Sequence, residues 1–167
     1  MSRGFGLLLA LAALGACDRF DRDAPPSRAP GLWVQTVSSA GMTQQSRLCV
    51  DAAVEAAFGW WGQTTGACAK PSVTRGPDGG WRFNSRCDMG PAGVNATTGV
   101  ATGDFSAAYR MQAETITTAA AAPQMNGARR MTLQAVRQGP CPAGMKPGDM
   151  TLPGGLTINV LEVAASK

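Results

Sequence analysis

The sequence predicts a mainly β protein with some α+β character: a single antiparallel sheet curled into an open barrel or sandwich, with one helix. Composition is the first indication, since the 167 residues include 21 Gly and 11 Pro and only 16% are charged. So much Gly and Pro at low charge is typical of short strands joined by many turns. The second indication is the segment 81–87, where apolar or small residues alternate with polar ones. This period of two is what a strand with one buried face requires.

The predicted strands follow one another along the chain. Leu32–Val37 is rich in aromatic and β-branched residues, and Thr43–Val50 is its expected antiparallel partner. In the segment 81–87, Trp81 and Phe83 are predicted to be buried and the intervening arginines to face solvent. The turn signature 77–80 precedes that segment. Further strands are expected at residues 72–75, 95–103, 104–114, 115–122, 129–138 and 156–160, with a turn at 102–104 and a loop held by Cys141.

One helix is predicted, from Ala52 to about Trp61. Asp51 can cap its N-terminus, and apolar side chains recur at helical spacing. The adjacent Trp60 and Trp61 have two interpretations. They form a ligand platform, or one docks the helix on the sheet while the other covers the sheet edge. The second is favoured, because a lone helix must bury one face.

The first 16 residues have the pattern of a bacterial lipoprotein signal peptide. An apolar run follows Arg3 and ends in Gly15-Ala16, directly before Cys17. The run is about ten residues long, whereas a membrane span takes about twenty. The resemblance implies cleavage before Cys17 and acylation of its thiol, with palmitate the expected lipid. Residues 17–30 are then a flexible tether and 31–167 a single β-rich domain. The expected location is the cell envelope, on the inner or outer membrane, facing the periplasm.

The other four cysteines, Cys49, Cys68, Cys87 and Cys141, are predicted to form two disulfides. An even set is typical of proteins outside the cytoplasm. Sequence allows three pairings, of which Cys49 with Cys68 and Cys87 with Cys141 is favoured, because the first pair brackets the helix. No Cys-x-x-Cys pair and no histidine occur, so zinc-type and thioredoxin-like sites are excluded. No metal and no cofactor is expected.

Catalysis and nucleic-acid binding are not expected either. Serine and cysteine nucleophiles normally need a histidine base, and the chain has none. The net charge of +4 is mild, and its basic residues are scattered rather than arranged in a stripe with aromatics. Of eight methionines, the seven that survive the expected cleavage are candidate Cu(I) ligands, but none lie at Met-x-Met or Met-x-x-Met spacing, so core filling is the favoured role.

Several motifs together resemble the bacterial envelope proteins catalogued as domain of unknown function 3617. The resemblance covers about residues 29–160 and implies no established activity, ligand or catalytic residue. Further motifs, at 60–63 and 145–150, resemble a sphingomonad-like lipoprotein branch of that family. The motifs that carry the family resemblance are Pro30-Gly31-Leu32-Trp33, Cys49-Val50, Trp81 leading to Cys87, Thr102-Gly103-Asp104-Phe105 with Tyr109, and Cys141.

Two classes of function are therefore weighed. The first is a structural or interaction module of the envelope, attached to the membrane by its lipid and with an envelope protein as candidate partner. The alternative is a periplasmic carrier of a small ligand or metal, or an enzyme inhibitor. In the carrier, Trp33, Trp60 and Trp81 line the mouth of an open barrel.

Overall fold

The computed structural model describes residues 24–63 and 68–165 and confirms a mainly β protein. The predicted signal peptide and Cys17 lie outside these residues. Two short 3-10 turns also occur, at Gly90–Ala92 and Pro123–Met125. The elements, in chain order, are β1 (Gly31–Ser39), β2 (Met42–Val50), α1 (Ala52–Ala57), β3 (Phe58–Gly59), β4 (Gly62–Gln63), β5 (Ser72–Arg75), β6 (Trp81–Asp88), β7 (Val94–Asp104), β8 (Ala108–Thr118), β9 (Gly127–Gly139), β10 (Asp149–Thr151), β11 (Thr157–Asn159) and α2 (Val160–Ala165).

Nine of the described strands form one sheet in the order β11-β10-β2-β1-β9-β8-β7-β6-β5. All neighbouring strands are antiparallel. The two edge strands, β11 and β5, do not pair with each other, so the sheet is open and not a closed barrel. Strands β3 and β4 form a small separate hairpin. The predicted single antiparallel sheet is therefore confirmed in its open form.

The core lies on one face of this sheet, because alternate side chains of each strand point to the same side. In β6, Trp81 and Phe83 are buried and the arginines between and after them are exposed, as predicted. Trp33 of β1 is fully buried and packs on Tyr109 of β8, with ring centroids 5.7 Å apart. Val54 of α1 covers the same face and is also fully buried.

The first helix is shorter than predicted. Asp51 caps it as expected, since its Oδ1 accepts a hydrogen bond of 2.8 Å from the Val54 amide. The helix ends at Ala57, however, and the chain then turns back through β3 and β4, with Trp60 and Trp61 at the turn. This turn brings Trp60 into the core, where 3% of it is exposed. The predicted extension to Trp61 is therefore wrong, because burial of Trp60 outweighs helix propensity.

A second helix, α2, was not predicted. The expected strand at 156–160 is only Thr157–Asn159, and α2 follows it at once. The side chain of Asn159 accepts hydrogen bonds from the amides of Leu161 and Glu162, at 3.0 and 3.3 Å. An asparagine that caps the first turn in this way favours a helix over continued strand.

Strand β8 is shifted by four residues from the predicted 104–114, and β9 is longer than predicted. Residues 115–118 continue β8 instead of starting a new strand, and β8 pairs with β9 from Ala108 to Thr117. The expected turn at 102–104 lies later, between the end of β7 and the start of β8. Strand β10 lies where only a loop was expected, and it pairs with β2. Pairing along long neighbouring strands decides these boundaries.

The packed part of the chain begins before Gly31, the predicted start of the domain. The Pro26 carbonyl accepts a hydrogen bond from Trp60 Nε1, and the Ala29 carbonyl accepts one from Trp33 Nε1, both at 2.8 Å. Arg28 is 3% exposed. The tether boundary expected at residue 30 is therefore too late, and residues from Pro26 onward belong to the folded domain.

Two disulfides are present, but the favoured pairing is wrong. Cys49 is bonded to Cys141, and Cys68 is bonded to Cys87. Cys49 lies on β2 beside the late loop, where the Gly148 amide donates a hydrogen bond of 2.9 Å to the Cys49 carbonyl. Cys68 forms an isolated bridge with Cys87 of β6. Four strands separate β2 from β6 in the sheet, so pairing of Cys49 with Cys68 is geometrically excluded.

Candidate functional site: a cavity on the core face

A cavity of about 390 Å³ lies on the core face of the sheet, under the turn that carries Trp60 and Trp61. Strands of the main sheet form one wall, and the β3–β4 hairpin with Arg28 and Cys68 forms the other. Most of the lining side chains are apolar, with a few polar groups among them. The lining residues are Arg28, Gln35, Phe58, Gly59, Trp60, Trp61, Gly62, Cys68, Phe83, Ser85, Cys87, Met89, Asn95, Thr97, Tyr109, Met111, Ala113, Thr115, Met131, Leu133 and Met150.

The cavity exists because core-facing side chains become smaller along the strands. In β8 the order is Tyr109, Met111, Ala113 and Thr115. In β6 it passes from the two aromatic residues to Ser85 and Cys87. We call the aromatic end the closed half, defined by Trp33, Leu48, Val54, Phe105 and Tyr109. The other end is the open half, defined by Ser85, Asn95, Thr97, Ala113 and Thr115.

A buried ion pair stands at the boundary between the cavity and the closed half. Arg28 Nε lies 2.7 Å from Glu55 Oε2, and the Arg28 amide donates a hydrogen bond of 3.0 Å to Glu55 Oε1. Arg28 Nη2 also donates to the Phe58 carbonyl. Both carboxylate oxygens of Glu55 are therefore occupied, and the two opposite charges compensate each other in a buried place.

Two further polar groups, Tyr109 and Gln35, lie next to this pair. Burial raises the pKa of Tyr109 above its ordinary value of 10.0, although the Arg28 charge and hydrogen bonds with Arg28 and Gln35 partly oppose the rise. Tyr109 also stacks on Phe105, with ring centroids 4.9 Å apart. Its hydroxyl therefore stays protonated at neutral pH. Gln35 is 6% exposed, so its amide is buried on the same face of β1 as Trp33.

The two adjacent tryptophans form the outer wall of the cavity. Their rings are edge to face, with centroids 5.0 Å apart. Trp60 also packs edge to face on Phe83, at 5.8 Å. Trp61 is half-buried and folds over Gly59, where an added Cβ would come within 2.7 Å of the indole. The Trp61 Nε1 is buried and has no hydrogen-bond partner among the described residues.

Of the three tryptophans predicted to line a barrel mouth, only Trp60 lines the cavity. Trp33 lies in the closed half and is fully buried. Trp81 is buried beneath Arg75, whose guanidinium carbon lies 5.4 Å from the ring centroid. Both therefore act as core residues, and the predicted ligand role does not fit their positions.

Sequence reasoning weighed Trp61 as part of a ligand platform without favouring that role, and it missed Gln35 and the methionine lining. Four methionines line the cavity, although no two are close in sequence: Met89, Met111, Met131 and Met150. Sheet pairing brings Met131 opposite Ala113 and next to Met111. The period-two pattern of 109–115 was the available signal for the wall of β8. Nothing local indicated which strands would lie beside it.

Two classes of feature are not found in the part of the chain that the structure describes. It contains no group of three or more His, Cys, Asp or Glu side chains that could hold a metal ion. It also contains no helix of sufficient length and apolarity to cross a membrane.

Comparison with known proteins identifies a family. The family described as "Protein of unknown function (DUF3617)" matches residues 28–141, which span the sheet from just before β1 to the cysteine that follows β9. No curated protein and no solved structure matches the chain. The resemblance noted from the motifs is therefore confirmed at family level, and the sphingomonad-like branch stays a prediction.

Proposed function

The chain belongs to the DUF3617 family, and we propose that its domain is a carrier that binds a small apolar or amphipathic ligand in the core-face cavity. In this proposal the protein is a lipid-anchored envelope protein without catalytic activity. The cavity between the sheet and the two tryptophans is the observation that carries it.

The size and lining of the cavity support ligand binding. Its volume of about 390 Å³ lies in the range of ordinary small-ligand pockets, about 300–1,000 Å³. Such pockets are mostly apolar, with a few polar groups that orient the ligand. Methionine side chains are flexible and polarizable, so a wall built from them adapts to the shape of an apolar guest.

The position of the predicted anchor supports a ligand taken from the membrane. Pro26 is hydrogen-bonded to Trp60, a wall of the cavity. The chain between Cys17 and Pro26 can extend to about 30 Å at most. If Cys17 is acylated, the cavity is held within that distance of the bilayer. A carrier in this place can exchange apolar molecules with the membrane over a short path.

The test is titration of the mature chain, with Cys17→Ser in place of the lipidated cysteine, with the neutral apolar probe N-phenyl-1-naphthylamine. We expect saturable binding at one site, seen as enhanced probe fluorescence. Ala113→Leu fills part of the cavity and should weaken binding about tenfold, equivalent to about 1.4 kcal/mol. Gln112→Leu is the matched control, because Gln112 is the exposed neighbour on the opposite face of β8.

Absence of saturable binding by the wild-type chain would contradict the carrier proposal. Equal weakening by Ala113→Leu and Gln112→Leu would show that the probe binds elsewhere. Circular dichroism of each variant must match the wild type before affinities are compared.

A second candidate function, a structural or interaction module, is favoured by a groove of about 520 Å³ on the outer face of the sheet. Its floor is formed by β7, β8 and β9, and the turn after β1 forms one side. Exposed Arg130 and Glu114 form an ion pair of 3.1 Å at the groove. Crosslinked pull-down from native membranes tests this function. A specific partner that is lost in Cys17→Ser would support it, and recovery of the protein alone would count against it.

A further inference from the structure

We infer that the ligand of the cavity is a neutral amphiphile, whose uncharged hydrogen-bonding group meets Gln35 while its hydrocarbon chain lies against the methionine and tryptophan walls. An ester, an amide or an alcohol fits this description. The inference rests on the proposed function and names the chemical class of its ligand.

Gln35 is the residue that points to a polar group on the ligand. It lines the cavity and is 6% exposed, and its neighbours on the same face of β1 are the apolar Trp33 and Val37. A glutamine amide has two N–H donors and a carbonyl with two lone pairs. Tyr109 lines the same cavity, and its single hydroxyl can engage only part of this capacity. A ligand with a carbonyl or hydroxyl group would satisfy more of it.

The ion pair explains why that group should be uncharged. The two carboxylate oxygens of Glu55 accept from the amide and the Nε of Arg28, at 3.0 and 2.7 Å. A carboxylate ligand near Arg28 would therefore also lie near Glu55, which repels it. A cationic ligand near Glu55 would meet Arg28. Since the pair is already compensated, a buried charge on the ligand would have no free counter-ion here.

The remaining walls fit a hydrocarbon chain. Met111, Met131 and Leu133 provide apolar surface on the sheet side, and Trp61 provides it on the opposite side. Gln35 and Tyr109 are neutral polar groups beside these walls. This combination of long apolar walls and a few neutral donors is the reason for proposing an amphiphile rather than a pure hydrocarbon.

The experiment compares three ligands that share one chain length: monolaurin, laurate and dodecyltrimethylammonium. Each displaces N-phenyl-1-naphthylamine from the mature Cys17→Ser chain, below its micelle concentration. We expect monolaurin to bind at least about tenfold more tightly than either charged ligand. Gln35→Met keeps the length of the side chain and removes its amide, so it should remove most of this preference. Gln134→Met, an exposed position on the opposite face of neighbouring β9, is the matched control and should leave the preference unchanged.

Failures of the two proposals are distinguishable. If neither the probe nor any of the three ligands binds, the carrier function itself is wrong. If the probe binds and Ala113→Leu weakens it, but laurate binds as tightly as monolaurin, only the inference about a neutral head group is wrong. An unchanged preference in Gln35→Met would also overturn it.

Discussion

The closed and open halves of the core face meet on strand β8, yet one is filled and the other holds a cavity. In the closed half, Trp33 and Val54 are fully buried, and Tyr109 stacks on Phe105 and packs at an angle on Trp33. In the open half, β8 continues with the smaller Ala113 and Thr115. Backbone pairing is continuous through both halves. Within β8 the difference therefore comes from side-chain volume, and in the closed half α1 adds the buried Val54 over the sheet.

Three polar side chains of the open half, those of Asn95, Thr97 and Thr115, form hydrogen bonds across the sheet. The hydroxyls of Thr97 and Thr115 are 2.8 Å apart, and the Thr117 hydroxyl donates a bond of 2.8 Å to Asn95. Pairing across the sheet keeps these groups from needing water or a ligand. Gln35 differs from them, because its amide has more hydrogen-bonding capacity than the single Tyr109 hydroxyl of the same cavity can engage. The hydrogen-bonded residues therefore complete the wall of the cavity, whereas Gln35 is available to a ligand.

Removal of the disulfides should cause the largest losses of folding stability. Replacing both Cys49 and Cys141 by Ala opens a link between positions 92 residues apart, and should lower the free energy of unfolding by about 4–5 kcal/mol. Replacing Cys68 and Cys87 opens a link of 19 residues and should cost about 3 kcal/mol. Urea unfolding measures both. A larger loss for the Cys68–Cys87 pair would mean that loop length does not govern the effect.

Breaking the two ion pairs should give the next largest effect, with a greater loss of stability for the buried pair than for the exposed one. Glu55→Ala leaves Arg28 buried without its counter-charge, and should lower the free energy of unfolding by about 3–4 kcal/mol. Arg28 keeps its bond to the Phe58 carbonyl, which moderates the loss. Glu114→Ala breaks the exposed pair with Arg130 and should cost less than about 1 kcal/mol. Similar values for the two variants would contradict the burial of the first pair. Urea unfolding at neutral pH is again the measurement.

Tyr109 should produce the smallest effect, at alkaline pH. Its raised pKa means that folding favours the neutral phenol, so this stability is fully present below the unfolded pKa of about 10 and is lost as pH rises through the folded pKa. It is the single tyrosine of the chain, so absorbance of tyrosinate reports its titration directly. We expect titration above pH 10 in the folded protein and near pH 10 in urea. Tyr109→Phe should remove this part of the pH dependence of unfolding.

A pKa of Tyr109 in the folded chain equal to its ordinary value of 10.0 would show that water reaches the phenol. The closed half would then be less closed than described, and the contrast with the open half would be smaller.

Local patterns in the sequence determined several features by themselves. Period two in 81–87 predicted both the strand and its buried face, and Trp81 and Phe83 are buried as expected. The first two strands pair as predicted, with Trp33 opposite Leu48. Asp51 caps a helix because its short side chain reaches the amide of Val54. These features depend on neighbours within a few residues, so the sequence contains the information. The signal peptide and the acylation of Cys17 stay predictions.

Only the tertiary structure decided which distant residues meet. Pairing of Cys49 with Cys141, and the gathering of Gln35, Trp61 and Met131 around one cavity, depend on strand order and register in the sheet. A shift of register by one residue would exchange the two faces of a strand. Turn signals and alternation show which face of a strand is apolar, but not which strand lies beside it. The cavity is therefore a property of long-range pairing, and the side-chain sizes along β6 and β8 determine where it opens.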